Sequence, residues 1–142
     1  MRFSEHELTA ALHGAAKSVL GAQRRVRRGQ DVDEVWESMD RLERFRLLDG
    51  LGGQVLPVLV ALPDVEVAVG TRPSYDDAVI AEVVTGLLGD GVGGRLKRAV
   101  VVKGRTALVQ IALASVPVRR DPDGLLHHDD DLPEVPDSPE GL

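Results

Sequence analysis

Apolar residues fall at Leu8, Leu12, Ala15, Val19, Ala22 and Val26. The steps alternate between four and three, which keeps one face of a helix apolar over about three heptads. Ser4, with Glu7 three positions on, is a capping-box start, and Gly29 supplies a stop, so the spacing predicts a helix from Ser4 to about Arg28. At about 1.5 Å per residue it would be about 36 Å long. Packing on the rest of the chain accounts for such a seam. Pairing with the same seam of a second copy is the alternative.

A short second helix is expected over about Val32 to Met39, capped by Asp31, with Trp36 and Met39 pointing inward. Asp40 and Glu43 repeat the start signal and open a segment from Arg41 to Asp49, with Leu42, Phe45 and Leu48 on one side. The run DGLGG, residues 49–53, should end or bend that helix, since glycine is a poor helix former. The apolar run Val55–Leu62 is expected to resume as a separate buried helix, because Pro57 suits a first turn and would break a central strand. Residues 64–73 alternate like a short strand whose only partners would lie near the end of the domain. Ser74 then opens a helix with a stripe of Ile80, Val83, Val84 and Leu87, closed by Gly89.

The stretch from about Arg95 to Val116 supports two readings. As a helix it places Leu96, Val100, Val101, Ala107, Leu108, Ile111, Ala112 and Ala114 on one half, the apolar one. The other half holds Arg98, Lys103, Arg105, Thr106 and Gln110, together with Val102, Val109 and Leu113. As a hairpin it would turn at residues 103–105 and give residues 64–69 a partner. The helix agrees better with the helical pattern before it. The expected fold is therefore all-α, a compact bundle of four to five helices over residues 1–117, followed by a flexible, disordered acidic tail over 118–142. The alternative is α+β, with a small sheet from residues 64–69 and 98–116.

Charge sharpens that division. Residues 1–117 carry 15 basic and 15 acidic side chains, while residues 118–142 carry 2 basic and 8 acidic, which is the whole of the formal net charge of −6. A neutral body with an acidic tail is not the footprint of a nucleic-acid binder. There is no cysteine among the 142 residues, which excludes disulfides, thiolate metal sites and cysteine nucleophiles. Arg exceeds Lys by 14 to 3 and Asn is absent, the residue usage of a GC-rich coding sequence. No apolar run approaches the roughly 20 residues of a spanning helix, and the first residues have no signal-peptide pattern. A cytoplasmic, non-membrane protein is expected.

Four arginines lie within residues 24–28, and four acids follow within residues 31–37. On a helical wheel, Lys17, Arg24 and Arg28 lie within about 20° of the side opposite Leu8, where solvent is expected. Cations in a last turn and acids in the next first turn both oppose the helix macrodipole, so the two runs mark a helix–turn–helix junction and can neutralise each other. A phosphate-contacting face of Lys17, Arg24 and Arg28 is the alternative, and the same face could receive the acidic tail.

Other motifs carry less. GDGVGG, residues 89–94, matches a dinucleotide fingerprint in letters but follows a helix where the fingerprint needs a strand. HHDDD, residues 127–131, has metal-ligating side chains without a scaffold to fix them. His6 and His13 lie on the outer side of the first helix, and no triad signature is present. Leu125 and Leu126, set among acids, resemble a short segment that adds to a partner's groove. The sequence is accordingly read as a non-enzymatic interaction protein with no catalytic residue, cofactor or metal. Its partner would be another protein or a second copy through Leu8, Leu12, Ala15, Val19, Ala22 and Val26. A small nucleic-acid-associated regulator is the alternative.

Overall fold

A computed structural model describes residues 1–22, 31–89 and 93–120. These form five helices: α1 (Glu5–Ala22), α2 (Val32–Ser38), α3 (Arg41–Ala61), α4 (Asp77–Leu88) and α5 (Arg95–Ala114). No strand occurs among the described residues. The fold is an all-α bundle, and the alternative sheet does not form.

The start of α1 follows its sequence signal. The Glu7 amide donates to Ser4 Oγ at 3.1 Å and the Ser4 amide donates to Glu7 Oε1 at 2.9 Å, so two orphan donors are satisfied reciprocally. Beyond that, α1 is the centre of the bundle, packed by α2, α3 and α5. Its fully buried positions are Ala11, Ala15, Ala16 and Leu20. Small side chains let several helices approach one axis. At Gly14 the approach is closest, because an added Cβ would lie 1.7 Å from Ser115 Oγ and 2.3 Å from Ser115 Cβ. The side of α1 expected to face solvent is covered by α2. His13 lies against Trp36 with ring centroids 5.4 Å apart, and Lys17 pairs with Asp33 at 2.6 Å.

Where two helices were expected between residues 41 and 62, α3 runs through without a break. Its start is the predicted one, a capping box of Asp40 and Glu43. The glycines at 50, 52 and 53 each cost about 1 kcal/mol against alanine, but Leu51, Val55, Val58 and Leu59 form one buried face that spans them. Burying a large aliphatic side chain stabilises by about 1.5–3 kcal/mol, so packing outweighs propensity. Pro57 therefore sits inside a helix and not in a first turn. Pro57 and Gly53 are both exposed, so the carbonyl that loses its amide donor lies on the solvent side. The opposite face is apolar yet open, with Leu42 and Phe45 more than half exposed.

Residues 63–76 are irregular rather than a strand. The expected strand pairing of residues 64–69 with residues 98–116 does not form; instead, beyond it, the Gly70 amide donates to Arg119 O at 2.7 Å and the Arg119 amide to Thr71 O at 2.8 Å. Gly70 has φ 85° there, a left-handed conformation that glycine adopts without strain. Helix α4 begins at Asp77, with Asp76 in the cap position, and not at Ser74; Gly89 closes it with φ 63°.

Helix α5 resolves the ambiguous stretch as helical but reverses its faces. The buried residues are Thr106, Val109, Ala112 and Leu113, three of them from the half read as polar. Leu96 and Val100, from the half read as apolar, are 83% and 72% exposed. Two faces of comparable hydrophobicity compete, and the core takes the one that meets α1, α3 and α4. The apolar stripe left outside becomes part of the molecule's surface chemistry.

Candidate functional site

The sequence-predicted sites are dispersed. Of the self-association seam, Ala15 is fully buried in the core, and Leu8, Leu12 and Val19 pack half-buried against it. Ala22 is exposed, and Val26 lies outside the described residues. Of the basic face, Lys17 pairs with Asp33; Arg24 and Arg28 lie outside the described residues, and so does the arginine side of the neutralisation expected at this junction. His127, His128, the HHDDD stretch and Leu125–Leu126 also lie outside them, as do residues 90–92 of GDGVGG. Among the described residues no group of three or more His, Asp or Glu side chains could hold a metal ion. No described helix is long and apolar enough to cross a membrane.

The folded unit continues past residue 117. Arg119 is buried and reaches back to the first turn of α1. Its Nε donates to Glu7 Oε2 at 3.0 Å, and its Nη2 to Glu7 Oε1 at 3.3 Å and Arg2 O at 3.2 Å. Such a bidentate pair fixes direction as well as charge. It anchors the root of the C-terminal segment.

One open feature of the bundle is a groove of about 670 Å³ between α4 and α5. Ala78, Ala81, Ala99, Val102 and Ala107 give it apolar walls, and Arg95, Arg98 and Lys103 stand along the α5 side. The alanines form it: short side chains on facing helices leave space that larger ones would fill. Asp77 closes one end, where Gln110 Nε2 donates to Asp77 Oδ1 at 2.9 Å and to Tyr75 O at 2.8 Å. At the other end Arg98 donates to the carbonyls of Gly89 and Thr85, so its charge caps the end of α4.

Two details set this groove apart. Thr106 lines it, is 7% exposed, and its Oγ1 has no hydrogen-bond partner. A buried hydroxyl without a partner costs free energy, and native structures hold few of them. The first turn of α5 also reverses the usual charge rule. It has no acid and no side-chain cap, yet it carries Arg95, Lys97 and Arg98 at the positive end of the macrodipole, where anions are favoured. Among the described residues neither Arg95 nor Lys103 has an ion-pair partner. An anionic group in the groove would satisfy the cations and the helix end together. The walls of Ala78, Ala81, Ala99 and Val102 let the groove hold an apolar body beside a negative charge.

Sequence reasoning missed this site. One local signal existed, the basic first turn of α5 without acids. The other components come from α4 and α5 together and have no local signature. No protein-family model, no curated protein and no solved structure matches this chain.

Proposed function

We propose that the protein is a non-enzymatic interaction module that binds an acidic, apolar-bearing polypeptide segment in the α4–α5 groove. The observation that carries this is the groove's composition: apolar walls beside Arg95 and Lys103, two cations without an ion-pair partner among the described residues. Apolar grooves that receive short peptide segments work in this way, with a few polar groups fixing orientation. A cytoplasmic location belongs to the same reading and agrees with a chain that has no disulfide to form.

The test uses anilinonaphthalene sulfonate, a dye that joins an apolar ring system to an anion. It should bind the full chain at one saturable site with enhanced fluorescence. An Arg95→Glu/Lys103→Glu double variant with unchanged helical circular dichroism should bind on the order of tenfold more weakly, the equivalent of about 1.4 kcal/mol for two exposed charge contacts. Equal binding by the variant would remove the groove from consideration.

Self-association is the second reading, now moved from the α1 seam to its flank. Leu12 lines an apolar hollow against α3 together with Leu48, Gly52, Gly53, Leu56 and Val60. Gly53 has open space above it, so a second helix could approach closely. Sedimentation equilibrium of the full chain decides it: a dimer dispersed by Gly53→Glu supports this reading, and a monomer at all concentrations ends it.

A further inference from the structure

The groove's occupant can be sought within the chain. We infer that residues 121–142 dock intramolecularly in the α4–α5 groove, with Leu125 and Leu126 against its apolar walls and the neighbouring acids against Arg95 and Lys103. This inference rests on the reading of the groove as a peptide site and names its first ligand.

Three observations carry it. The first is charge. Residues 121–142 hold eight acidic side chains and neither Lys nor Arg, while Arg95 and Lys103 are without ion-pair partners among the described residues. The second is reach. Arg119 is tied to Thr71 by a backbone hydrogen bond, and Asp77, six residues beyond Thr71, begins the groove. Leu125 stands six residues beyond Arg119, and six extended residues span about 20 Å. Gln110, near the C-terminal end of α5, donates to Asp77 at 2.9 Å, so the chain leaves α5 toward the segment from the Asp77 end of the groove. The third is the competing surface. Of the basic face of α1, Lys17 is already paired with Asp33 at 2.6 Å.

A tethered ligand acts at an effective concentration of about a millimolar, so even weak contacts give substantial occupancy. An external partner with a similar acidic, leucine-bearing segment would then have to displace the chain's own. The docked segment makes the groove autoinhibited.

The absence of cysteine permits a clean experiment on the full chain. A nitroxide on His128→Cys should strongly broaden the amide signals of Ala81, Ala99 and Val102 in the same molecule, and leave those of Lys17 and Asp33 sharp. Adding Arg95→Glu/Lys103→Glu should restore the groove signals. Broadening around Lys17, no broadening, or broadening indifferent to the charge reversal would each overturn the inference. So would broadening that arises only between mixed labelled and unlabelled copies. Dye binding separates this failure from failure of the groove itself. A Leu125→Ser/Leu126→Ser variant should bind anilinonaphthalene sulfonate about two- to tenfold more tightly as the tethered competitor is weakened. Dye bound equally by both chains, with no broadening, leaves the groove and removes its internal ligand. Dye bound by neither removes both.

Discussion

Buried polarity is handled in opposite ways at two places on this molecule. Where α1 meets the root of the C-terminal segment, the Arg119 guanidinium reaches both carboxylate oxygens of Glu7 and the Arg2 carbonyl, and Glu7 also accepts from the Ser4 amide. In the α4–α5 groove, the Thr106 hydroxyl reaches nothing. The first arrangement is closed: each group is bought out of water by a partner within the chain. The second leaves a buried hydroxyl unsatisfied between two helices. The two places thus differ in how completely the fold satisfies the polar groups it buries.

The largest expected effect lies at the joint. Glu7 and Arg119 side chains are 5% and 8% exposed. Arg119→Ala should leave a buried carboxylate without its cation and cost about 3–5 kcal/mol, a large share of a typical domain's stability. The midpoint of urea unfolding measures it. Glu7→Gln together with Arg119→Met should recover most of the loss, because a buried pair replaced on both sides is often nearly neutral. A loss under about 1 kcal/mol for Arg119→Ala would mean that the pair behaves as an exposed one, and the contrast between the two regions would fall.

What the chain disclosed in advance follows the same line between local and distant partners. The helix starts at Ser4/Glu7, Asp31 and Asp40/Glu43 and the stop at Gly89 are all as the sequence indicates, because a cap and its amide lie within a few residues. The continuity of α3 was not legible. Gly50, Gly52, Gly53 and Pro57 argue locally for a break, and the buried face of Leu51, Val55 and Leu59 that overrides them depends on what packs against it. The buried side of α5 was equally hidden, since Val102, Val109 and Leu113 are no more apolar than Leu96, Val100 and Ile111. The ion pair joining residues 112 positions apart placed Arg119 in the fold, although composition assigned it to the acidic tail.

The groove should respond in the other direction. Thr106→Val keeps the shape and removes the unpartnered hydroxyl, so it should stabilise the chain by about 1 kcal/mol, the low end of the cost of a buried unsatisfied group. The unfolding midpoint should rise while dye affinity stays unchanged, because the hydroxyl oxygen is buried away from the groove's surface. A destabilised Thr106→Val variant would place this residue with the satisfied groups of the joint.

The smallest effect tests how the two regions meet. Tyr75 stands between them: its hydroxyl donates to Pro63 O at 2.8 Å, while its own carbonyl accepts from Gln110 beside the groove. Burial pushes its phenol above the usual value of 10.0, the Asp64 carboxylate adds to the rise, and the Arg119 guanidinium opposes it. Because the folded value is the higher one, folding favours the neutral phenol. That contribution to stability is present in full below pH 10 or so and is lost as pH rises through the folded value. Tyr75 is the only tyrosine, so its ultraviolet titration is unambiguous. Asp64→Asn should bring the midpoint back toward that of free tyrosine, and Arg119→Met with Glu7→Gln should carry it further up. If the second substitution leaves the midpoint unchanged, the Arg119 charge is confined to Glu7, and the joint is electrostatically insulated from the neighbourhood of the groove.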